Sequence, residues 1–517
     1  MNTLVAVFHR TIVPMALMVT LFSAVANAQL SSPALDSSGC NLPAIPSYAS
    51  LKSDTVLPDP FRFLDGTRMT KVSEWKCRRA EIGALAQKFE YGDKPNTPYS
   101  ATTDSMSGNN LIVTVTDSGK TISFSCSITY PSAGTAPYPA MIGVGGSFLN
   151  NTQLSGMGVA VINFPCDDIA QQIDGNSRGK GKFYTLYGSN HSAGALMAWA
   201  WGVDRLIDAI EKTPAANIDP TRLGVTGCSR NGKGALCVGA FDERVKLVIP
   251  QESGSGGDAS WRVSDYEFNV THQTVQTLHE IVSENVWFTP GFSQFNSTSD
   301  RLPYDQHSII AMIAPRACLL IENTILWLGP ESAWNCAWAA WFAFDALGVG
   351  DHLGFSQYTH QSSHCGFQSV QQPEVTAYVQ KFLVGNGTAD TYILKTDAGY
   401  NYGGAKWITW DEPLLTPVKG SDGQGQQSLP KGFYLEPNHP NPFNPSTTIS
   451  FGIPENIVVS LMVYNSLGQE IAELAGKEYS AGKHSVTFNA SNLASGIYYC
   501  TMKAGAYTTA KKMIFQK

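Results

Sequence analysis

The sequence predicts a three-layer α/β sandwich with a mostly parallel sheet, followed by a small all-β sandwich. From Phe61 to Tyr402, short apolar segments alternate with amphipathic or alanine-rich helical segments, an order that favours parallel strands joined by helices. At 416–432 the chain becomes rich in Gly, Gln, Ser and Pro, as linkers are. Short strands punctuated by Gly, Pro and Asn follow, which is typical of a small antiparallel sandwich.

The individual elements follow from these patterns. The candidate strands of the α/β domain are "SFSCSITYP", "YPAMIGVGG", "GVAVINF", "RLGVTGC", "VKLVIPQ" and "RACLLIEN". The candidate helices are "SAGALMAWAWGVDRLIDAIEKT", "KGALCVGAFD" and "AWNCAWAAWFAFDALG". Their apolar residues are nearly continuous, so we expect these helices to be buried on several sides. The candidate strands of the tail are "TTISFGIP", "VVSLMVYN", "HSVTFNA", "GIYYCTMKAG" and "KKMIFQK".

The N-terminus has the layout of a secretory signal peptide, with Arg10, an apolar run at 12–25 and small residues up to Ala28. A membrane anchor is the alternative, but Pro14 interrupts the run, which is shorter than the roughly 20 apolar residues of a spanning helix. We therefore predict export of a soluble protein after cleavage at Ala28. The predicted parts are a signal peptide (1–28), an α/β domain (29–410), a linker (411–431) and a β-sandwich (432–517).

Composition excludes some classes of partner and of site. The 35 basic and 42 acidic residues give a net charge of −7, which argues against nucleic acid or an anionic membrane held by broad electrostatics. The ten cysteines are scattered without the close C-x-x-C pairs of a zinc site. Because an exported protein leaves the reducing cytosol, we expect disulfides rather than a bound metal.

The segment "LGVTGCSRNGKGAL" at 223–236 fits two kinds of site. The spacing of Gly227, Gly232 and Lys233 is that of a phosphate-binding P-loop between a strand and a helix. A P-loop, however, needs Ser or Thr after its Lys to hold magnesium, and Gly234 stands there. An exported protein is also kept away from ATP, so we reject the P-loop.

The same segment places Ser229 where a hydrolase holds its nucleophile, on a sharp turn with a helix N-terminus beneath it. The pattern departs from G-x-S-x-G, because Asn231 takes the second glycine position and the glycine is delayed to Gly232. Hydrolases of this architecture supply an acid and then a base after later strands. Glu252, at the end of "VKLVIPQE", is the candidate acid, although an isolated carboxylate there would equally suit a salt bridge.

The base is expected in "YTHQSSHCGF", which offers His360 and His364. Their spacing suggests a metal, but the segment does not have a helical pattern and lacks carboxylate or C-x-x-C companions. We favour His364. If it meets Ser229, the neighbouring Cys228 and Cys365 come within disulfide reach, and a bridge there would clamp base to nucleophile.

Four segments, "VTGCSRNGKGAL", "IPQESGSGGDASWR", "ENTILWLGPES" and "SSHCGF", together resemble carbohydrate esterase family 15, the glucuronoyl esterases, over nearly all of 40–400. The resemblance implies an α/β-hydrolase that cleaves esters between (4-O-methyl-)glucuronic acid on xylan and lignin alcohols, with no metal or organic cofactor. It makes Ser229 the nucleophile, His364 the base and Glu252 its acid, and gives Arg230 a role in oxyanion stabilisation. It also implies four uronate contacts: Lys233, Gln276, Glu284 and Trp327.

Those residue types suit a sugar, because Lys, Gln and Glu bond hydroxyls and a Trp ring covers a flat sugar face. The residues alone leave open that Lys233 faces solvent and that Trp327 belongs to the core. Glu331, in "LGPES", lies near where some bacterial relatives place a catalytic acid. It is therefore an alternative that would share or replace the role of Glu252.

The resemblance also bears on the cysteines. Where relatives often carry a Cys in "GGDASWR", this chain has Ser260, so Cys336 is expected to lack its usual partner. The implied pair is Cys40–Cys77, matching the family's N-terminal bridge, and a further suggested pair is Cys126–Cys166.

The tail, from "NHPNPFNPSTTISFGIP" to "KKMIF", resembles the C-terminal sorting domain of type IX secretion. This implies passage across a Gram-negative outer membrane, followed by tail removal and then release or surface attachment. A carbohydrate-binding sandwich is the competing interpretation, but the exposed aromatic platform it would need is not obvious.

The sequence thus predicts a secreted serine esterase with a sorting domain. The nearest alternative is an esterase of the same fold acting on another ester, such as acetyl groups of xylan; a pocket without Lys233 and Trp327 near Ser229 would favour it. An alternative of another class is a catalytically silent glycan-binding surface protein. Such a protein would bind sugar but fail to react with a serine-directed probe.

Overall fold

The structure, a computed structural model, combines a large mixed sheet flanked by helices with two small antiparallel sheets in the tail. This confirms the predicted α/β-hydrolase fold with a C-terminal all-β sandwich. The predicted signal peptide and most of the predicted linker lie outside the described residues. The structure describes residues 35–359, 364–400, 404–413, 415–416, 433–436, 438, 441, 443–465, 468–505 and 507–517.

The large sheet has ten strands in the order β1-β2-β3-β5-β4-β6-β7-β8-β9-β10. The pairs from β1 to β5 are antiparallel, and all pairs from β5 to β10 are parallel. The strands are β1 (Thr102–Ser107), β2 (Asn110–Asp117), β3 (Lys120–Thr129), β4 (Tyr138–Val144), β5 (Ala160–Phe164), β6 (Ile218–Cys228), β7 (Val245–Gln251), β8 (Ala317–Glu322), β9 (Leu353–Gln357) and β10 (Leu394–Thr396).

The six strands predicted for this domain correspond to β3–β8. These strands have long apolar stretches because most of them are covered on both faces. The prediction missed β1, β2, β9 and β10. Strands β1 and β10 lie at the two edges, and their short sequences "TTDSMS" and "LKT" have little apolar signal.

Helices cover both faces of the large sheet. The predicted helices correspond to α5, α6 and α10, and nearly all residues of α5 and α10 are buried, as expected. The helices are α1 (Trp75–Ala86), α2 (Asn151–Gly156), α3 (Cys166–Ile169), α4 (Lys182–Tyr187), α5 (Ala195–Lys212), α6 (Arg230–Phe241), α7 (Trp261–Asn269), α8 (Leu278–Glu284), α9 (Gln306–Ala311), α10 (Pro330–Ala346), α11 (Gln372–Tyr378) and α12 (Gly404–Trp407).

Alternate residues of the central strands face two separate cores, as the period of a strand requires. Ile142 and Leu320 belong to the larger core, which contains the apolar side chains of α5, α6 and α10. Met141 and Leu319 point the other way, into a smaller core that includes residues of α2 and α11. The helix–sheet–helix layering therefore fixes the ends of β6, β7 and β8, where the candidate site residues follow.

The tail is a sandwich of sheets ordered β11-β12-β15 and β14-β13-β16-β17, with a core of its own. All five predicted strands are present. The missed β14 is mostly exposed, so its sequence lacks a regular apolar alternation. The tail strands are β11 (Tyr434–Leu435), β12 (Ser446–Ile453), β13 (Ile457–Asn465), β14 (Glu470–Tyr479), β15 (Gly482–Asn489), β16 (Gly496–Ala504) and β17 (Tyr507–Phe515).

The α/β unit continues past the predicted start of the linker at 411. Arg68 donates a hydrogen bond to the carbonyl of Asp411, and the Thr416 N–H donates to Thr70 O at 2.8 Å. Asp411 and Thr416 are therefore anchored to the N-terminal part of this unit. Within the described ranges, no helix combines the length and the apolar character needed to cross a bilayer.

Candidate active site

Ser229 lies on a sharp turn between β6 and α6, with φ 59° and ψ −129°. Its N–H donates to Gln251 O at 2.9 Å, at the end of the neighbouring β7. The turn needs two glycines: a Cβ on Gly227 would meet Asn231 O at 2.3 Å, and one on Gly232 would meet Gln251 O at 2.9 Å. The delayed glycine of the motif therefore serves the close packing of the turn against β7.

Glu252 directly follows β7 and presents a carboxylate that is almost fully buried, with 2% of the residue exposed. Its Oε2 accepts hydrogen bonds from His364 Nδ1 at 2.9 Å and from the Cys365 N–H at 2.6 Å. Burial raises its pKa, but hydrogen bonds from His364, Cys365 and Asn323 outweigh burial and lower the pKa below its ordinary value. The group is therefore an ionised acceptor.

An ionised Glu252 fixes the tautomer of His364, because a carboxylate accepts hydrogen bonds only and so requires the proton on Nδ1. Nε2 is left with its lone pair, and among the described residues it makes no hydrogen bond. The imidazole is thereby prepared to take a proton at Nε2.

A disulfide joins Cys228 to Cys365, with Cα atoms 5.8 Å apart. These residues directly precede Ser229 and directly follow His364. The bridge therefore tethers the loop of the histidine to the turn of the serine, across 137 residues of sequence.

The residues around His364 also have an unusual backbone conformation. Six non-glycine residues of the described chain have positive φ, and three of them are Ser229, Glu252 and Cys365, with φ of 59°, 46° and 67°. Such conformations cost free energy for residues with a side chain and cluster at functional sites. The fold thus holds three neighbouring loops in unfavourable conformations around His364.

A cavity of about 500 Å³ opens beside this group; we call it the Trp327 cavity, and its walls include Phe268, Gln276, His279, Glu284 and Trp327. The Trp327 ring lies 4.9 Å from the His364 ring and is 37% exposed, so it is not a core residue. Gln276 is fixed by its N–H, which donates to Trp327 O at 3.0 Å, and its Nε2 donates to Glu284 Oε2 at 3.2 Å. Three predicted sugar contacts therefore converge next to the histidine.

Comparison with known proteins identifies the chain. A family model described as glucuronyl esterase, fungi, matches residues 113–348. The 4-O-methyl-glucuronoyl methylesterase of Hypocrea jecorina is 49% identical over 378 residues, which cover 73% of this chain and 80% of that protein. The chain belongs to the glucuronoyl esterase family. This confirms the resemblance seen in the four sequence segments.

Solved glucuronoyl esterases share the fold of this family member. The catalytic domain from Hypocrea jecorina superposes with a TM-score of 0.69 at 48% identity, covering 72% of this chain and all of that domain. A serine-to-alanine mutant of the glucuronoyl esterase from Sporotrichum thermophile was solved with methyl 4-O-methyl-β-D-glucopyranuronate. It superposes with a TM-score of 0.68 at 41% identity, covering 73% of this chain and all of that one. A second family model, a secretion system C-terminal sorting domain, matches residues 439–516 and confirms the interpretation of the tail.

Lys233, one turn into α6, is buried rather than solvent-facing. Its Nζ donates to the carbonyls of Ser253 and Ser255, in the loop after Glu252. Burial lowers its pKa to about 8, although Asp258, Glu284 and Glu322 act in the opposite direction. Its charge thus interacts with Glu284, which lines the Trp327 cavity.

Two further predicted residues lie apart from this contact network. Glu331 lies in the first turn of α10, close to Glu267 and Tyr400. Burial, and then the charge of Glu331, raise the pKa of Glu267 to about 8. Glu252 is thus the carboxylate that contacts His364. Arg230 is exposed as the first residue of α6, next to Ser229. His360 lies outside the described residues.

The remaining cysteines correct one prediction. Cys40 and Cys77 form a disulfide with Cα atoms 5.3 Å apart. Cys126 and Cys166 do not pair: both are buried thiols, and burial raises the pKa of Cys166 to about 12. The suggested bridge was wrong because Cys126 lies on β3 and faces the larger core, whereas the Cys166 thiol at the start of α3 lies 3.9 Å from Asn231 Oδ1. Cys336 is also a free buried thiol, as expected.

Sequence reasoning missed a buried pair of acids behind Glu252. Ser253 donates its N–H to Glu322 Oε1 at 2.9 Å and its hydroxyl to Asp258 Oδ1 at 2.7 Å. The two carboxyl groups also interact with each other: burial raises the pKa of both, and the neighbouring Asp258 raises that of Glu322 further. The protonated form of Glu322 is therefore favoured. The position of Glu322 at the end of β8, parallel to that of Glu252 after β7, was the available signal.

The donor atoms of Cys228, Glu252, His364 and Cys365 lie within 4.8 Å of one another, a spacing that would suit a metal. The two sulfur atoms, however, are bonded to each other. One carboxylate and one imidazole remain, fewer than the three protein ligands of a catalytic zinc site. The cluster fits an acid–base pair.

Proposed function

We propose that this esterase hydrolyses the ester between the carboxyl group of (4-O-methyl-)glucuronic acid on xylan and a lignin alcohol, through an acyl-enzyme on Ser229. The single observation that carries this proposal is the hydrogen bond from His364 to Glu252. The Cys228–Cys365 disulfide tethers this pair to the turn of Ser229, and the Trp327 ring connects it to the Trp327 cavity. The uronate ester bound to the Sporotrichum thermophile enzyme supports glucuronic acid as the acid part of the substrate ester.

In the first half of the reaction, Ser229 Oγ attacks the ester carbonyl while His364 Nε2 accepts its proton. The imidazolium then returns this proton to the alcohol oxygen as the ester bond breaks. Glu252 stabilises the imidazolium through the Nδ1–H hydrogen bond. In the second half, water attacks the acyl-enzyme carbonyl while His364 Nε2 takes the water proton. The imidazolium then returns this proton to Ser229 Oγ as its bond to the acyl group breaks and the free uronate leaves.

Negative charge develops on the carbonyl oxygen in both halves. The N-terminus of α6 points backbone N–H groups at this position, and Arg230 adds its own N–H and a nearby positive charge. These donors are held in place by the helix before the substrate arrives. They therefore stabilise the oxyanion without having to reorganise.

The Trp327 cavity suits the uronate ring. Gln276 and Glu284 offer an amide and a carboxylate to sugar hydroxyls, and the Trp327 ring covers a flat face. Lys233 adds a positive charge near Glu284. An ester of a simple acid would leave these polar groups unpaired and would therefore bind less well.

The test is hydrolysis of benzyl glucuronate, benzyl galacturonate and acetylated xylan by the mature protein, with Ser229→Ala as the control. We expect serine-dependent cleavage with preference for the glucuronate. Activity confined to acetylated xylan would keep the mechanism and overturn the substrate. Failure to cleave any of the three, together with retained sugar binding, would point to a glycan-binding protein.

We further propose that the tail directs type IX export across the outer membrane of a Gram-negative bacterium, followed by tail removal and release or surface attachment. The matched sorting domain and its separate core support this. In a type IX-competent host, the full chain should give extracellular or surface activity, and a variant ending at Thr416 should leave equal activity inside the outer membrane. Equal extracellular activity of both forms would overturn the proposal.

A further inference from the structure

Asn231 stands where G-x-S-x-G would have its second glycine, and its side chain contacts two other segments of the chain. A Cβ added to Gly145, in the loop after β4, would lie 2.4 Å from Asn231 Nδ2. The same point lies 3.1 Å from the sulfur of Cys166, which directs its S–H at Asn231 Oδ1 over 3.9 Å. The carboxamide of Asn231 therefore connects the turn of Ser229 with the loop after β4 and with the start of α3.

The loop after β4 lies beside the turn of Ser229 at the edge of the large sheet. Strands β4 and β6 are parallel neighbours, and Gly143 on β4 pairs with Thr226 on β6. Thr226 precedes Ser229 by three positions, so the chain leaves both strands at the same level. This is the carboxyl edge of the parallel strands, where ligands bind in α/β sheets. The loop after β4 therefore borders the place where Ser229 attacks the ester.

The loop after β4 is tightly folded. Gly145 and Gly146 have φ of 64° and 114°, which favour glycine. A Cβ on Gly143 would lie 2.5 Å from both Gly146 C and Ser147 N, so the loop folds back onto the end of β4. The Gly145 N–H donates to Phe164 O at 3.1 Å, and the Gly146 N–H donates to Gly143 O at 3.3 Å. These contacts place Ser147 over the end of β4, next to β6.

Ser147 carries a hydroxyl without a protein partner. In the part of the chain that the structure describes, its Oγ is shielded from solvent and makes no hydrogen bond. A shielded hydroxyl without a partner costs free energy, so its retention calls for a reason. His364 Nε2, which accepts a proton in the reaction, is shielded and unpaired in the same way. A partner that the substrate supplies would explain both atoms.

The partner that suits a hydroxyl donor is the oxyanion. Negative charge develops on the ester oxygen as Ser229 attacks, and serine hydroxyls are among the donors that stabilise such charge. The N–H groups at the start of α6 reach this oxygen from one side, and Ser147 approaches from the side of β4. Such a donor is effective only when it is held in place before the charge forms. Asn231 provides this, because it contacts the loop two residues before Ser147.

We propose that the Ser147 hydroxyl donates a hydrogen bond to the oxyanion, and that Asn231 is the positioning residue that holds the loop of Ser147. The proposal rests on the acyl-enzyme mechanism of the proposed function, to which it adds a donor outside α6. It also explains the departure of this turn from G-x-S-x-G, because a glycine at 231 would have no side chain to reach Gly145.

The first test is steady-state kinetics on one glucuronate ester. Ser147→Ala should lower kcat by about 10²-fold, the low end for one oxyanion donor, and change KM by less than about twofold, because the oxyanion exists only in the transition state. Ser147→Thr keeps the hydroxyl and should be at least about tenfold faster than Ser147→Ala. Asn231→Ala should lower kcat by at least about tenfold, because a displaced donor stabilises the charge poorly. Asn110→Ala, which removes an exposed amide from the β1–β2 hairpin, is the matched control.

A double-mutant cycle tests whether Asn231 acts through Ser147. The loss of kcat in Ser147→Ala/Asn231→Ala should stay within about threefold of the larger single loss, instead of reaching the product of the two. The midpoint of the pH profile of kcat/KM should equal that of wild type in all three variants, because the proposal assigns neither residue an effect on the pKa of His364.

Three kinetic outcomes would overturn the proposal. An unchanged kcat in Ser147→Ala would remove Ser147 from the oxyanion site, and this variant decides even if Asn231→Ala does not fold. Losses that multiply in the double variant would show that Asn231 does not act through Ser147. A midpoint that moves together with kcat would assign the loss to His364.

Inactivation by a fluorophosphonate separates this proposal from the proposed function. Ser229 Oγ displaces fluoride from phosphorus while His364 takes the serine proton, and the phosphoryl oxygen of the adduct occupies the oxyanion position. Ser147→Ala should be inactivated at least about tenfold more slowly than wild type, even if the wild-type chain cleaves no glucuronate ester. Cleavage of glucuronate esters combined with equal inactivation rates would overturn the role of Ser147 and leave the esterase intact.

Discussion

The Nδ1 atom of His364 and the Oε2 atom of Glu252 lie 2.9 Å apart, and the same oxygen accepts the backbone N–H of Cys365 at 2.6 Å. One carboxylate oxygen therefore holds both the ring of the histidine and the backbone that carries it. Since Cys365 is also bonded to Cys228, the histidine loop is fixed from two directions.

Replacing Glu252 by Gln should disable this arrangement, whereas Glu331→Gln should not. The neutral amide no longer stabilises the imidazolium, so we expect kcat to fall by about 10²- to 10⁴-fold, as for other triad acids. Glu331→Gln should change kcat by less than about twofold, because Glu331 lies beside Glu267 and Tyr400. Steady-state kinetics of both variants on one glucuronate ester decide. A larger loss in Glu331→Gln would reassign the acid.

Removal of each disulfide should have a different effect on activity. Cys228→Ser/Cys365→Ser and Cys40→Ser/Cys77→Ser should each lower the free energy of unfolding, by about 2–5 kcal/mol. Only the first should also lower kcat, by at least about tenfold, because a histidine displaced from its serine reacts poorly. Denaturant unfolding and kinetics below the unfolding transition test this. Equal kcat values for both variants would show that the clamp has no catalytic role.

The pKa of Lys233 predicts a pH dependence of substrate binding. Burial lowers that pKa to about 8, so the ammonium is present below this pH and is lost above it. We therefore expect KM for glucuronate esters to be constant below about pH 8 and to rise above it, by about tenfold for the loss of one charged hydrogen bond. Lys233→Met should have the high KM at every pH. A rise of KM with pH in Lys233→Met would assign the effect to another group.

The sequence predicted those parts of the fold and site that have a local signal. Strand β7 was predicted with its observed bounds because continuous apolar residues end at a polar Gln251. Ser229 and Glu252 were predicted because each directly follows a predicted strand. The Cys228–Cys365 pair was predicted because these cysteines neighbour Ser229 and His364 in the sequence. Edge strands such as β1 were missed because exposed strands lack an apolar pattern.

Features that depend on packing between distant segments were not predictable in this way. Asp258 and Glu322 lie 64 positions apart in sequence, and nothing in the two segments that contain them shows that their side chains meet. Only the fold brings their carboxyl groups together under Ser253. The suggested Cys126–Cys166 pair failed for a related reason: sequence shows that cysteines exist, but not which of their side chains face one another.

The buried carboxyl groups of Asp258 and Glu322 predict how stability responds to pH. The pKa of Glu322 is raised above its ordinary value because burial and the neighbouring Asp258 disfavour its charge. A raised pKa means that the native state binds a proton more tightly than the unfolded chain. The stability from this group is therefore complete at low pH and is lost as the pH rises towards the native pKa.

Glu322→Gln should remove this dependence, because the amide stays neutral and still accepts the Ser253 N–H. Between about pH 4.5 and about pH 7.5, the free energy of unfolding of the wild-type chain should fall relative to Glu322→Gln by more than about 1 kcal/mol. Glu322→Ala, which leaves the buried Ser253 N–H unpaired, should be destabilised by about 1–3 kcal/mol or more at both pH values. Urea unfolding measures all three chains. A constant difference between wild type and Glu322→Gln would mean that Glu322 is already ionised in the native state, with Asp258 carrying the proton.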